Sequence, residues 1–81
     1  MTIDFLQGTY DSKEATELLA QLFLVKIRFH ERKIHKNLSE EDVAMRERCI
    51  SRLQDDFDQI RRFLGASQGW ITLDGSLNLN A

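Results

Sequence analysis

The sequence predicts a small all-α protein built on an antiparallel hairpin of two long helices. Two stretches, at about 12–36 and 40–64, repeat apolar residues every three or four positions, which is the period of one helix face. Each stretch begins beside a residue that can cap a helix, and the chain contains no proline. Because only a few residues separate the two stretches, we expect the second helix to fold back on the first.

The length of the chain predicts one small domain that needs additional stabilisation. A single domain over residues 1–81 buries only about 60% of the surface of its unfolded chain, so domains of this size commonly rely on disulfides, metals or oligomers. Cys49 is the only cysteine, so no internal disulfide can form, and no Cys/His cluster offers a metal site. We therefore expect oligomerisation, in the form of a homodimer that builds a four-helix bundle.

The composition indicates a cytoplasmic protein without membrane association. The net charge of −2 combines acidic and basic residues, so the molecule as a whole attracts neither nucleic acid nor an anionic membrane. A lone cysteine is typical of a reducing compartment. Residues 1–5 lack the basic and apolar regions of a secretory signal, and the apolar run at 18–25 is too short to span a bilayer.

The first helix carries more apolar surface than one neighbouring helix can cover. Asp11 or Ser12 is the expected N-cap, and Glu14 completes a capping box. The two apolar stripes of this helix are Ala15, Leu18, Leu22, Val25 and Phe29, and beside them Leu19, Phe23, Ile27 and Ile34. We assign the first stripe to the contact with the second helix and the second stripe, with Leu24, to a partner. The reverse assignment is also open.

The second helix has one apolar seam and clear end signals. Ser39 is the expected N-cap, with Asp42 at the third helical position. Gly65 is expected to end this helix in a left-handed conformation. Asn37 is expected to end the first helix in the same way. The early acids and late bases of both helices favour the antiparallel arrangement. The seam consists of Val43, Ile50, Leu53, Phe57, Ile60 and Leu64.

The segments outside the hairpin are short. Residues 1–10 are expected to form a strand or to pack against the helices. In the tail, 65–81, two apolar stretches flank Asp74-Gly75, which predicts a β-hairpin with a type I′ turn that sets Trp70 opposite Leu79 and Thr72 opposite Leu77. A flexible tail anchored by Trp70 is the alternative.

No residue pattern predicts catalysis, a metal or a cofactor. His30 and His35 are five positions apart and so do not share a helix face, and Cys49 has no recognisable base. The acids Asp55, Asp56 and Asp58 lack the spacing of a calcium loop. We therefore expect a protein that is not an enzyme.

The sequence favours a small protein–protein interaction module, of the adaptor, regulator or chaperone-like kind, that acts through an apolar helix face. The predicted partner-binding residues are Leu19, Phe23, Leu24, Ile27, Ile34 and Trp70. The alternative is nucleic-acid or anionic-surface binding through the basic end of the first helix, which is less favoured because the acidic start of the second helix would neutralise it. The residues of this alternative are Lys26, Arg28, Arg32, Lys33 and Lys36.

Overall fold

The computed structural model describes residues 1–81 as two helices preceded and followed by short strands. The elements are β1 (Thr2–Asp4), β2 (Gly8–Asp11), α1 (Ser12–Lys33), α2 (Glu40–Ala66), β3 (Trp70–Leu73) and β4 (Ser76–Asn78). The predicted helical hairpin is present. The all-α class is wrong, however, because both ends of the chain form strands that pair with each other. The structure contains one chain with two helices, so it does not show the expected four-helix bundle.

The helix α1 begins with the predicted capping box. The Asp11 carboxylate accepts a hydrogen bond from the Glu14 backbone N–H at 2.7 Å, and the Glu14 carboxylate accepts one from the Asp11 N–H at 3.5 Å. Because the first of these bonds stabilises the charged carboxylate, it lowers the pKa of Asp11. The helix ends at Lys33, before the predicted end at 36, since Ile34 is extended and its N–H caps the Glu31 carbonyl at 3.1 Å. Asn37 is not left-handed, which corrects that prediction.

The helix α2 starts as predicted and ends later than predicted. The Ser39 hydroxyl accepts a hydrogen bond from the Asp42 N–H at 3.2 Å. Gly65 lies inside the helix, so its predicted terminating role is wrong. Ser67 caps this end instead, because its N–H donates to the Leu64 carbonyl at 3.1 Å and its hydroxyl donates to the Phe63 carbonyl at 2.7 Å. With these carbonyls satisfied, no left-handed glycine is required at that point.

The helices pack antiparallel, and the buried side of α1 combines the second stripe with Ala15 and Leu22 of the first. Leu19 is buried, and the Phe23 ring lies 5.4 Å from the Phe57 ring, centre to centre. Val25 and Phe29 of the first stripe are 63% and 47% exposed. The α2 seam faces the hairpin as predicted, and each of its residues is buried or half-buried.

Direct ion pairs do not hold the two helices together. The one salt bridge of the chain joins Arg61 to Asp58 at 2.9 Å, within α2. The antiparallel orientation therefore depends on apolar packing and on the short connection at 34–39, and the complementary end charges contribute only at longer range.

The two ends of the chain form an antiparallel ribbon, which we call the terminal ribbon. Strand β2 pairs with β3, with Tyr10 opposite Ile71, and β1 pairs with β4, with Ile3 opposite Leu77. The predicted tail hairpin is therefore wrong, because β3 and β4 do not pair with each other. Its turn is excluded as well, since Gly75 lacks the positive φ that a type I′ turn requires.

The core is very small and lies where the ribbon crosses the hairpin. Only Ala15, Leu19 and Leu64 are buried. The chain exposes 6603 Å² of surface, whereas a compact monomer of 9.5 kDa exposes about 5,000 Å². This chain thus exposes about 1,600 Å² more than expected for its mass. The half-buried residues packed around the core are Leu6, Tyr10, Leu22, Phe57, Ile60, Ile71 and Leu73.

We expect the Leu64→Ala variant to lower the free energy of unfolding by about 2–4 kcal/mol, because it opens a cavity in this small core. Leu64 is 3% exposed, whereas the neighbouring Phe63 is 67% exposed. The matched control Phe63→Ala should therefore cost less than about 0.5 kcal/mol. Urea unfolding at one fixed chain concentration measures both losses, and equal losses would contradict the described core.

We expect a disulfide to form between Thr9→Cys and Thr72→Cys in a Cys49→Ser background, because these residues are directly opposite in β2 and β3. The control pair, Thr72→Cys with Leu77→Cys, should not close. Residues 72 and 77 follow each other along the same edge of the ribbon and are separated by roughly 15 Å, beyond the reach of a disulfide. Mass spectrometry of the oxidised monomers distinguishes the two pairings, and closure of the control pair alone would support the hairpin instead.

Candidate interaction surfaces

One half of the terminal ribbon extends beyond the helices. The β2–β3 half packs on α1, whereas β1 and β4 contact each other and neither helix. The pairing continues past the strands, since the Met1 amino group donates to the Leu79 carbonyl and the Leu79 N–H donates to the Met1 carbonyl, both at 2.8 Å. We call this projecting half, residues 1–5 with 76–79, the ribbon overhang.

The ribbon overhang has one apolar and one polar face. Ile3 and Leu77 are paired across the strands and so lie on the same face. The alternation of a strand places Thr2, Asp4, Ser76 and Asn78 on the opposite face, where the Thr2 hydroxyl donates to the Asn78 side-chain carbonyl. The apolar face consists of Met1, Ile3, Phe5, Leu77 and Leu79, all between 45% and 76% exposed.

A β-bulge makes this apolar face continuous with the face that packs on the helices. The N–H groups of Phe5 and Leu6 both donate to the Gly75 carbonyl at 3.0 Å, so two residues of one strand oppose one of the other. The extra residue shifts by one position the alternation of side chains between the two faces of the ribbon. Ile3 before the bulge and Leu6 after it therefore lie on the same side, and Leu6 packs against the core. The helices cover one half of a single apolar face and leave the other half uncovered.

A second apolar surface lies on the outside of α1. We call it the outer α1 patch, and it consists of Leu24, Val25 and Phe29, all exposed. Val25 and Phe29 are one turn apart and so share a helix face. The Phe29 ring has two cations near it, with the Lys33 ammonium 5.3 Å and the Arg46 guanidinium 6.0 Å from its centre. The patch thus combines an apolar centre with a cationic rim.

The basic end of α1 is exposed and unpaired. None of Lys26, Arg28, Arg32, Lys33 and Lys36 forms a salt bridge. Arg46 of α2 contacts this end through His30, with 3.0 Å between the arginine Nη1 and the histidine Nδ1. Because arginine only donates hydrogen bonds, the His30 Nδ1 is the acceptor in this contact. The expected neutralisation by the acids of α2 does not occur through direct contacts.

The structure separates the predicted partner-binding residues into two groups. Leu24 and Trp70 are exposed, and the exposed fraction of Trp70 is 72%. Leu19 is buried, whereas Phe23, Ile27 and Ile34 are half-buried. Their role in binding stays a prediction. Sequence reasoning missed the ribbon overhang, although the alternating apolar residues near both ends could have indicated it.

No group of three His, Cys, Asp or Glu side chains could hold a metal ion. Neither helix is long and apolar enough to cross a membrane. No protein-family model, curated protein or solved structure matches this chain. The candidate surfaces are therefore defined by the geometry of this chain alone.

Proposed function

We propose that this chain is a non-catalytic protein–protein interaction module that binds a partner through the outer α1 patch. The observation that carries the proposal is the position of Val25 and Phe29, which are 63% and 47% exposed on a well-formed helix. The sequence repeats these residues with the period of a buried helix face, yet both lie outside the apolar core that α1 forms with α2 and the ribbon. Contiguous exposed apolar residues of this kind characterise interaction surfaces.

The chemistry of the patch favours a particular kind of partner. Phe29 is large and aromatic, and the cationic groups of Lys33 and Arg46 lie near its ring. Aromatic residues with adjacent arginines are typical of interface centres. We therefore propose that the partner presents an apolar segment with acidic residues beside it.

Val25→Glu should weaken partner binding, because it places a charge in the centre of the patch at a residue that is 63% exposed. The measurement is co-purification of the tagged full chain from its native cells, followed by titration of the purified partner. We expect affinity to fall at least about tenfold. Ser51→Glu is the matched control, since it adds the same charge at an exposed position of α2. A partner that binds Val25→Glu and wild type equally would refute the use of this patch.

A second candidate function is binding of nucleic acid or another polyanion through the basic end of α1. One observation favours it, namely that the bases of this end form no salt bridge with the acids of α2. Its cationic side chains are Lys26, Arg28, Arg32, Lys33 and Lys36.

For this second candidate, Arg32→Glu with Lys33→Glu should remove oligonucleotide binding measured by fluorescence anisotropy. The logarithm of the wild-type association constant should fall linearly with the logarithm of salt concentration, because binding releases counterions. Arg61→Glu with Arg62→Glu makes the same charge change on α2 and should retain most of the binding. Equal losses in both double variants would indicate a non-specific charge effect and would exclude this site.

A further inference from the structure

We propose that the ribbon overhang binds a second copy of this chain through its apolar face. This face consists of Met1, Ile3, Phe5, Leu77 and Leu79. It packs against the same face of the second copy. This surface is separate from the outer α1 patch, so the proposal does not rest on the proposed function and each can fail alone.

The first support is the continuity of the ribbon face across the bulge. On the covered half, Leu6, Tyr10, Ile71 and Leu73 pack against the core. On the overhang, the same face carries residues of the same apolar kind, while the opposite face is polar throughout. Alternation of this regularity is the pattern of a sheet with one buried face. The bulge keeps the apolar residues of both halves on one face of the ribbon. The overhang therefore has the side-chain pattern of a strand pair whose apolar face is covered.

The second support is the stability of the overhang itself. An isolated two-stranded ribbon is at best marginally stable in water. The pairing of β1 with β4 spans only Thr2–Asp4 and Ser76–Asn78, and no helix contacts either strand. A surface that packs on the apolar face supplies the burial that two short strands lack.

The third support concerns the identity of the occupant. The apolar face contains no charged side chain apart from the Met1 amino terminus, which is bonded to the Leu79 carbonyl. Two such faces meet without charge repulsion. The face can therefore pair with itself, as the isologous contact of a two-fold dimer requires. Strongly apolar interfaces are typical of permanent homodimers.

The chain as a whole exposes enough surface for one such interface. The chain exposes 6603 Å², which is about 1,600 Å² more than a compact monomer of its mass. A standard interface buries about 800 Å² on each partner. The surface that the chain as a whole leaves uncovered is therefore larger than one side of a standard interface requires.

The test is sedimentation velocity of the full chain from nanomolar to micromolar concentration. Wild type should form a dimer. Ile3→Glu with Leu77→Lys places charges on the apolar face but keeps an attractive pair across the strands, so the dimer dissociation constant should rise at least about 100-fold. The matched control Ser76→Lys lies on the polar face opposite Asp4 and should dimerise as wild type does.

A second measurement does not depend on the folding of the double variant. In a Cys49→Ser background, the alkylation rate of Leu77→Cys should fall as chain concentration rises, because the second copy covers it. The rate of Asn78→Cys, on the opposite face, should stay constant. Equal behaviour of the two thiols overturns the proposal. A wild-type chain that sediments as a monomer at micromolar concentration also overturns it, and protection that appears only with a different co-purified protein assigns the face to that protein instead.

Discussion

The contact between the β2–β3 half of the terminal ribbon and the two helices holds the whole fold together. Leu19 and Leu64 meet at this crossing, and Ile71 packs on them from the ribbon. Without it, α1 and α2 would form an open pair of helices whose apolar groove has no cover. The chain ends would also lose the support that keeps β2 and β3 paired. A core of three buried residues thus fixes both the hairpin and the ribbon.

This small core has a direct consequence for the shape and surface of the molecule. The chain is elongated and thin, at 47 × 31 × 14 Å, so most side chains have solvent on at least one side. Two apolar surfaces stay uncovered, namely the ribbon overhang and the outer α1 patch. Their characters differ. One face of the overhang is uniformly apolar, which suits the proposed contact with an identical chain. The patch has a cationic rim, which suits the proposed partner with acidic residues.

Local signals in the sequence predicted the helix starts well, but not the helix ends or the turn at Asp74-Gly75. The caps at Asp11 and Ser39 have the predicted hydrogen bonds, because capping involves residues within one turn of each other. The α2 seam was predicted for the same reason, since its period is set by helix geometry. The exposed patch was predicted only in part. Leu24 and Trp70 are exposed as a binding surface requires, but Val25 and Phe29 were assigned to the wrong side of α1 because two adjacent stripes fit one helix equally well.

The sequence by itself determined the two helices and their antiparallel direction. It also predicted short strands on both sides of Asp74-Gly75, with a flexible tail as the alternative, and the strands are present. Only the tertiary structure decided which strands pair and which side of α1 is buried. The reason is that strand pairing joins residues far apart in the chain, such as Ile3 and Leu77, so it depends on where the helices place the chain ends. The short spacing around Asp74-Gly75 favoured a local hairpin. Packing of Tyr10 and Ile71 on the core favours the long-range ribbon instead, because that pairing buries apolar surface that a free hairpin would expose.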